Sequence, residues 1–332
     1  MRYVQLGSSD LKVSPIAVGC MSFGKPNQYM KWTLDQEQTE KVVQHALDLG
    51  LNFFDTANAY GFGTSEEYLG RAIKNNISRD KVVIASKVYF NPGHLSAKAI
   101  HHEIDGTLER LGTDYLDLYI IHRFDYDTPI AETMEALNDL VKSGKVRAIG
   151  ASAMYGYQFY NMQEYARDNG LAQFQTMENH YNLLYREDER EMIPICKQFN
   201  VSLMPYSPLA AGHLAHLGWQ SHTKRAQSDA MSAQKYDSME KFDYPIVQRV
   251  HELAEKHGVQ MAEIALAWEW AKGVAAPIVG STKASHLDSA VKALDVKLSD
   301  DEVAYLDELY VPHRIVGANS HNTNISNLKK AK

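Results

Sequence analysis

Asp55, Tyr60, Lys87 and His122 follow apolar runs, in that order along the chain. Together they carry the parts for donating a proton to a carbonyl oxygen. A tyrosine hydroxyl ordinarily titrates near about 10, too high to donate readily at neutral pH. A nearby lysine ammonium favours the phenolate and brings that value down. Asp55 can supply the counter-charge that keeps Lys87 protonated, and His122 as neutral imidazole can hydrogen-bond and orient the substrate oxygen. Tyr60 is then the general acid in reduction, and its phenolate the general base in oxidation. Taken singly, each has an ordinary reading as a packed or surface side chain, since the chain has 19 tyrosines. Four such residues in order, each at the end of an apolar run, favour chemistry.

The elements that must position them are legible as alternation. Apolar runs begin at Ile16, Leu51, Val82, Leu116, Val146, Phe174 and Val201, spaced 27 to 35 residues apart. They are rich in branched and aromatic side chains and apolar on both faces, as buried parallel strands are. An eighth, Ala276–Val279, follows after a longer gap holding a polar stretch, Trp219–Asp243, and helical patterns at Ile246–Lys256 and Met261–Ala271. Thr64-Ser65-Glu66-Glu67 reads as a capping box, and Thr128-Pro129 as an N-cap with proline at the first helical position. Ser299 to Glu302 caps a last helix. The fold class expected is α/β, a (β/α)₈ TIM barrel, preceded by a β-hairpin over residues 1–13. An open doubly wound sheet would put a glycine-rich fingerprint after the first strand, but Gly19-Cys20-Met21-Ser22-Phe23-Gly24 lacks the G-x-G-x-x-G spacing. Residues 1–332 read as one domain, with 212–243 an insertion that could close as a lid and 312–332 a polar tail.

Composition narrows the function classes. The 332 residues are 45% hydrophobic and 23% charged, with a formal net charge of −7. The absence of any basic run argues against nucleic acid or anionic lipid as partner. No stretch approaches the ~20 apolar residues of a membrane span. Two cysteines and no signal-peptide pattern lead to the expectation of a cytoplasmic protein. No His/Cys/Asp cluster has metal-ligand spacing. Ser152 and Ser207 lie outside any G-x-S-x-G turn, which disfavours a serine hydrolase.

The motifs Val18–Gly24, Phe54-Asp55-Thr56-Ala57 with Tyr60-Gly61, Ser86-Lys87, Leu118–Asp125, Gly144–Ser152, Asn179–Glu187, Tyr206–Leu209 and Gly280–Lys283 resemble those of aldo-keto reductases. The likeness covers nearly the whole chain and is strongest to the bacterial and fungal branch, which also resembles potassium-channel β subunits. It implies reversible hydride transfer between NADP(H) and an aldehyde or ketone, with Asp55, Tyr60, Lys87 and His122 catalytic. For the cofactor it implies Ser152 at the nicotinamide carboxamide and Tyr206 stacked on the nicotinamide. Ser207, Leu209 and Gly212 would follow the pyrophosphate. Gly280, Ser281, Thr282 and Lys283 would meet the adenosine 2′-phosphate, favouring NADPH. Met21, Asp55, Glu178 and His286 complete the cofactor set. Phe23, Tyr89, Phe90 and Arg123 are candidate walls of the substrate pocket.

Three departures from the family pattern stand out. Ala153 occupies a place often held by asparagine, and Glu178 one usually held by glutamine. His286, Ser289 and Ala290 replace residues that usually meet the adenine. As a carboxylate, Glu178 could accept from the carboxamide but not donate to it, which would favour oxidised cofactor. A slow-turnover, cofactor-binding regulatory module and a Schiff-base lyase or isomerase acting through Lys87 are the alternatives.

Overall fold

The computed structural model describes residues 1–27, 30–219, 235–280 and 282–316. Two short strands, β1 (Val4–Gln5) and β2 (Lys12–Val13), pair antiparallel as the expected hairpin. Among the described residues a sheet of eight parallel strands follows: β3 (Ala17–Gly19), β4 (Phe53–Asp55), β5 (Val83–Val88), β6 (Leu116–Ile121), β7 (Val146–Ser152), β8 (Phe174–Glu178), β9 (Ser202–Leu203) and β10 (Ile278–Gly280). β10 lies beside β3, and closure comes from Ala275 N–H donating to Leu203 O (3.0 Å) and Ile278 N–H to Pro205 O (2.9 Å). This is the α/β barrel expected from the alternation, with helices outside the strands.

The period of two sorts every strand into an inner and an outer face. Phe53, Ala85, Leu118, Ile120, Ala148 and Met204 form one cluster inside the barrel, and the hairpin residues Leu6, Leu11 and Val13 pack into it from below. Phe54, Ile84, Tyr119, Ile121, Ile149 and Met177 join the other cluster, between sheet and helices. One step of two beyond the inner residues lie Asp55, Lys87, His122 and Tyr206, and on the same parity Ser152 and Glu178. The polar site is therefore the next layer above the apolar plug. Gly150 serves that interior, because a Cβ there would run into the Thr176 hydroxyl.

Helix starts differ in part from expectation. Thr64 opens no capping box. Gly61, Phe62 and Gly63 have φ of 57°, 55° and 88°, so the chain turns left-handed after Tyr60 and Gly63 takes the N-cap of the helix Thr64–Asn76. The Thr64 hydroxyl instead donates to Gly61 O (2.7 Å) and accepts from Lys25 N–H (3.0 Å). Pro129 is itself the N-cap of Ile130–Lys142, one place later than read, while Thr128 donates to Asp125 (2.6 Å). The box at Ser299 forms as expected ahead of Asp300–Asp307. A further box, Asp35 with Gln38, starts Gln36–Asp48. Trp219 and Tyr236 are both buried; residues 220–234 between them and 317–332 of the tail lie outside the described residues.

Glu269, in the helix Met261–Ala271, is fully buried, and neither side-chain oxygen has a hydrogen-bond partner among the described residues. Burial alone raises its pKa well above the usual carboxylate range. The native chain thus holds a proton that the unfolded chain releases above about pH 4.3. Stability is untouched below that pH and falls as pH rises toward the folded value, by about 1.4 kcal/mol per unit. Glu269→Gln should raise the unfolding temperature at pH 8 more than at pH 5, read by calorimetry. An equal gap at both would show the carboxyl is not desolvated.

Candidate active site

The strand ends bring the four expected residues together. Lys87 is fully buried, and its ammonium donates to Asp55 Oδ1 (2.8 Å), Asp55 Oδ2 (2.6 Å) and the Thr56 carbonyl (3.0 Å). It also donates to Tyr60 Oη at 3.4 Å, and Glu178 Oε2 stands 3.3 Å away on the opposite side of the barrel mouth. Parallel register explains the convergence: Asp55 pairs with Ala85, Lys87 with Ile120, and Ser152 with Glu178.

The electrostatics follow from burial. For Lys87, desolvation opposes the charge, but Asp55, Glu178 and Tyr60 outweigh it and raise the pKa, so the ammonium persists. Asp55 is raised by burial, against the lowering influence of Lys87. Tyr60 reverses the simple expectation. Burial pushes its pKa up, Lys87 pulls it down, and Asp55 and Glu178 push it up again, so the net direction is upward. The hydroxyl therefore holds its proton, and Lys87 is the neighbour that eases its release. His122 is held neutral, well below its ordinary value, by burial first and then by Lys87 and Arg123. Its ring meets Tyr60 edge-on at 5.9 Å and Phe90 at 5.0 Å.

Of the expected substrate walls, Tyr89, Phe90 and Arg123 gather beside His122. The Arg123 guanidinium lies 4.7 Å over Phe90 and 5.4 Å over Tyr89, and Phe90 is 48% exposed. Phe23 is placed otherwise. It is fully enclosed in the core, where its side chain supplies packing and no open wall.

The residues expected at a nicotinamide also assemble. The Ser152 hydroxyl donates to Glu178 O (2.7 Å), and Tyr206 lies parallel to His180 with centroids 5.1 Å apart. Asn182 Nδ2 donates to Ser207 O (2.9 Å) and to Tyr236 Oη (3.0 Å), tying the Asn179–Glu187 motif to the loop after β9. That loop turns through positive φ at Ser207, Ala210, Ala211 and Gly212, with Leu209 between them. His180 and Tyr236, hydrogen-bonded at 2.8 Å, back Tyr206 and were not singled out from sequence. They lie 56 residues apart, with no spacing pattern to link them. Met21 is half-buried after β3. Lys283 is the N-cap of the helix Ala284–Ala293, with Gly280 and Thr282 just before it and His286 in its first turn. Ser281 lies outside the described residues. The Ser289 hydroxyl lies 3.1 Å from both Gln260 Oε1 and Glu263 Oε1, and Ala290 is buried. The fit to a dinucleotide is supported by buried atoms without a hydrogen-bond partner among the described residues, Asn179 Oδ1 and His180 Nδ1.

Two departures acquire a physical content. Ala153 has φ of 45°, in the left-handed region that asparagine tolerates better than alanine. Glu178 is not the free carboxylate expected. Desolvation first, then repulsion from Asp55, against the attraction of Lys87, pushes its pKa up to about 8, so at neutral pH it is protonated.

A barrel with a buried lysine–carboxylate pair beside a tyrosine and a neutral histidine at its C-terminal mouth is an enzyme architecture of the carbonyl-reducing kind. The sequence profile described as "Aldo/keto reductase family" matches residues 15–311, and the chain belongs to that family. It is 42% identical to the versiconal hemiacetal acetate reductase of Aspergillus parasiticus, covering 95% of this chain and 98% of that one. A putative aryl-alcohol dehydrogenase of Schizosaccharomyces pombe is 41% identical (95% and 97% covered), and one of Saccharomyces cerevisiae 39% (95% and 98%).

Removing the strain at Ala153 should stabilise the fold. Ala153→Gly is expected to gain about 0.5–1 kcal/mol, read as a higher urea midpoint with unchanged slope. A lower midpoint would mean that the alanine methyl packs more than its backbone costs.

Proposed function

We propose that this chain reduces an aromatic aldehyde or ketone to the alcohol with NADPH, reversibly, Tyr60 donating the proton to the carbonyl oxygen. The observation that carries the reading is the buried ammonium of Lys87 held between Asp55 and Tyr60. NADPH, when bound, supplies the hydride. Ser152, Glu178 and Tyr206 would hold its nicotinamide, the Ser207–Gly212 loop its pyrophosphate, and Lys283 at a helix start its 2′-phosphate. The Tyr60 hydroxyl is kept protonated by burial, and neutral His122 offers a hydrogen bond that orients the carbonyl. Lys87 stabilises the phenolate left after proton transfer, while Asp55 keeps Lys87 charged. An aromatic substrate is supported by the faces of Tyr89 and Phe90 next to His122, and by the aryl-alcohol names of two relatives. Cytoplasmic residence belongs to the same proposal, supported by the free, buried thiols Cys20 and Cys196.

Tyr60→Phe should lower NADPH oxidation at 340 nm by about 10²–10⁴-fold while NADPH still quenches tryptophan fluorescence. If NADPH binds but the wild type is idle across a carbonyl panel, a regulatory cofactor-binding module becomes the better reading. Phe90→Ala should lower kcat/KM for benzaldehydes by up to about tenfold and leave short aliphatic aldehydes nearly unchanged. An equal loss for both would remove the aromatic assignment.

A further inference from the structure

One cation faces two acids in this site. Lys87 contributes a single positive charge, against Asp55 on β4 and Glu178 on β8, and all three side chains are buried. The other groups turned to Glu178 are Tyr60 and Tyr206, each pushed up in part by its charge, and the Ser152 hydroxyl on its carbonyl oxygen. Cys20, near Asp55, is an un-ionised thiol. None of these adds a positive charge. Two carboxylates against one ammonium leave an uncompensated buried charge, which the site relieves by keeping a proton on one acid. Asp55 holds Lys87 through two short hydrogen bonds, whereas Glu178 Oε2 stands farther off at 3.3 Å and the Glu178 carboxyl shares a hydrogen bond with Asp55, so the proton belongs on Glu178.

We propose that Glu178 is a proton-holding positioning residue that refills Tyr60 through Lys87 after each reduction. The inference rests on the reductase reading above. The path is Glu178 Oε2 to Lys87 Nζ, 3.3 Å, and Lys87 Nζ to Tyr60 Oη, 3.4 Å. When Tyr60 gives its proton to the carbonyl oxygen, the O–H bond breaks and a phenolate remains. Lys87 passes a proton to that phenolate and takes one from the Glu178 carboxyl. The cycle leaves Tyr60 neutral, Lys87 as ammonium and Glu178 as carboxylate, which takes up one proton from solvent hydronium or buffer acid when product leaves, the proton the reduction consumes. A glutamine in this place has no proton to give. Above the pH where Glu178 ionises, about 8, the reservoir is empty and the added negative charge holds the Tyr60 proton more tightly.

Two measurements on the full chain test this, for wild type, Glu178→Gln and Glu178→Asp. The first, infrared titration of the cofactor-free protein, should show, beside the band that buried Glu269 keeps in every variant, a protonated carboxyl band lost near pH 8 in wild type and missing from Glu178→Gln. The second is the pH profile of NADPH-dependent reduction at saturating cofactor. Wild type should fall about tenfold per unit above its ionisation, Glu178→Gln should stay flat there, and Glu178→Asp should recover a displaced fall. A uniform loss in Glu178→Gln with an unchanged profile overturns the relay and leaves a structural role. Carboxyl bands that match between wild type and Glu178→Gln overturn the proton-holding claim. A titrating band in a wild type that reduces no carbonyl overturns the reductase reading, and the relay with it.

Discussion

A single buried ammonium governs this structure. Lys87 lies inside the barrel with no exposed surface, and it is tolerable there only because Asp55, Thr56 and Glu178 surround it. Those partners come from different strands, so the charge can be satisfied only when the barrel is closed and in register. Cutting Asp55 away strands a charge in a low-dielectric interior, which costs far more than a surface ion pair returns. Fold and site are therefore one energetic problem.

The barrel solves it by layering. The hairpin and the inner apolar residues fill the lower half, and the next inward positions carry the polar set. Strand periodicity alone aims them at one another. The helices contribute support: Glu66, buried in the helix Thr64–Asn76, receives hydrogen bonds from Ser86 and Arg110 and so fixes the strand that carries Lys87. On the far side the Asn179–Glu187 motif, His180 and Tyr236 brace the ring of Tyr206. The mouth is thus framed by rigid elements on the side of the proton chemistry and by left-handed loop turns on the side assigned to the dinucleotide.

Burial also decides which protonation states the site holds. The same desolvation that raises Tyr60 and Glu178 lowers His122, so a phenol, a carboxyl and an imidazole are all neutral around one cation. Neutral donors around a fixed positive charge suit a reaction in which negative charge develops on a carbonyl oxygen.

Residue order and periodicity by themselves determined much of this protein. The eight strands, the hairpin and the strand-end positions of Asp55, Lys87 and His122 follow from apolar runs and their spacing, which are local properties of the chain, whereas runs apolar on both faces do not say which parity turns inward. The cap at Thr64 was misread because left-handed φ from Gly61 to Gly63 is not written in the letters of a capping box. Phe23 was placed on a wall because adjacency to a strand end says nothing about which way a ring is enclosed. The ionisation of Glu178, the upward shift of Tyr60 and the backing of Tyr206 by His180 and Tyr236 were decided only by tertiary structure. Charge state depends on how far water is excluded and on which charges stand within a few ångströms, and those neighbours come from strands far apart in sequence.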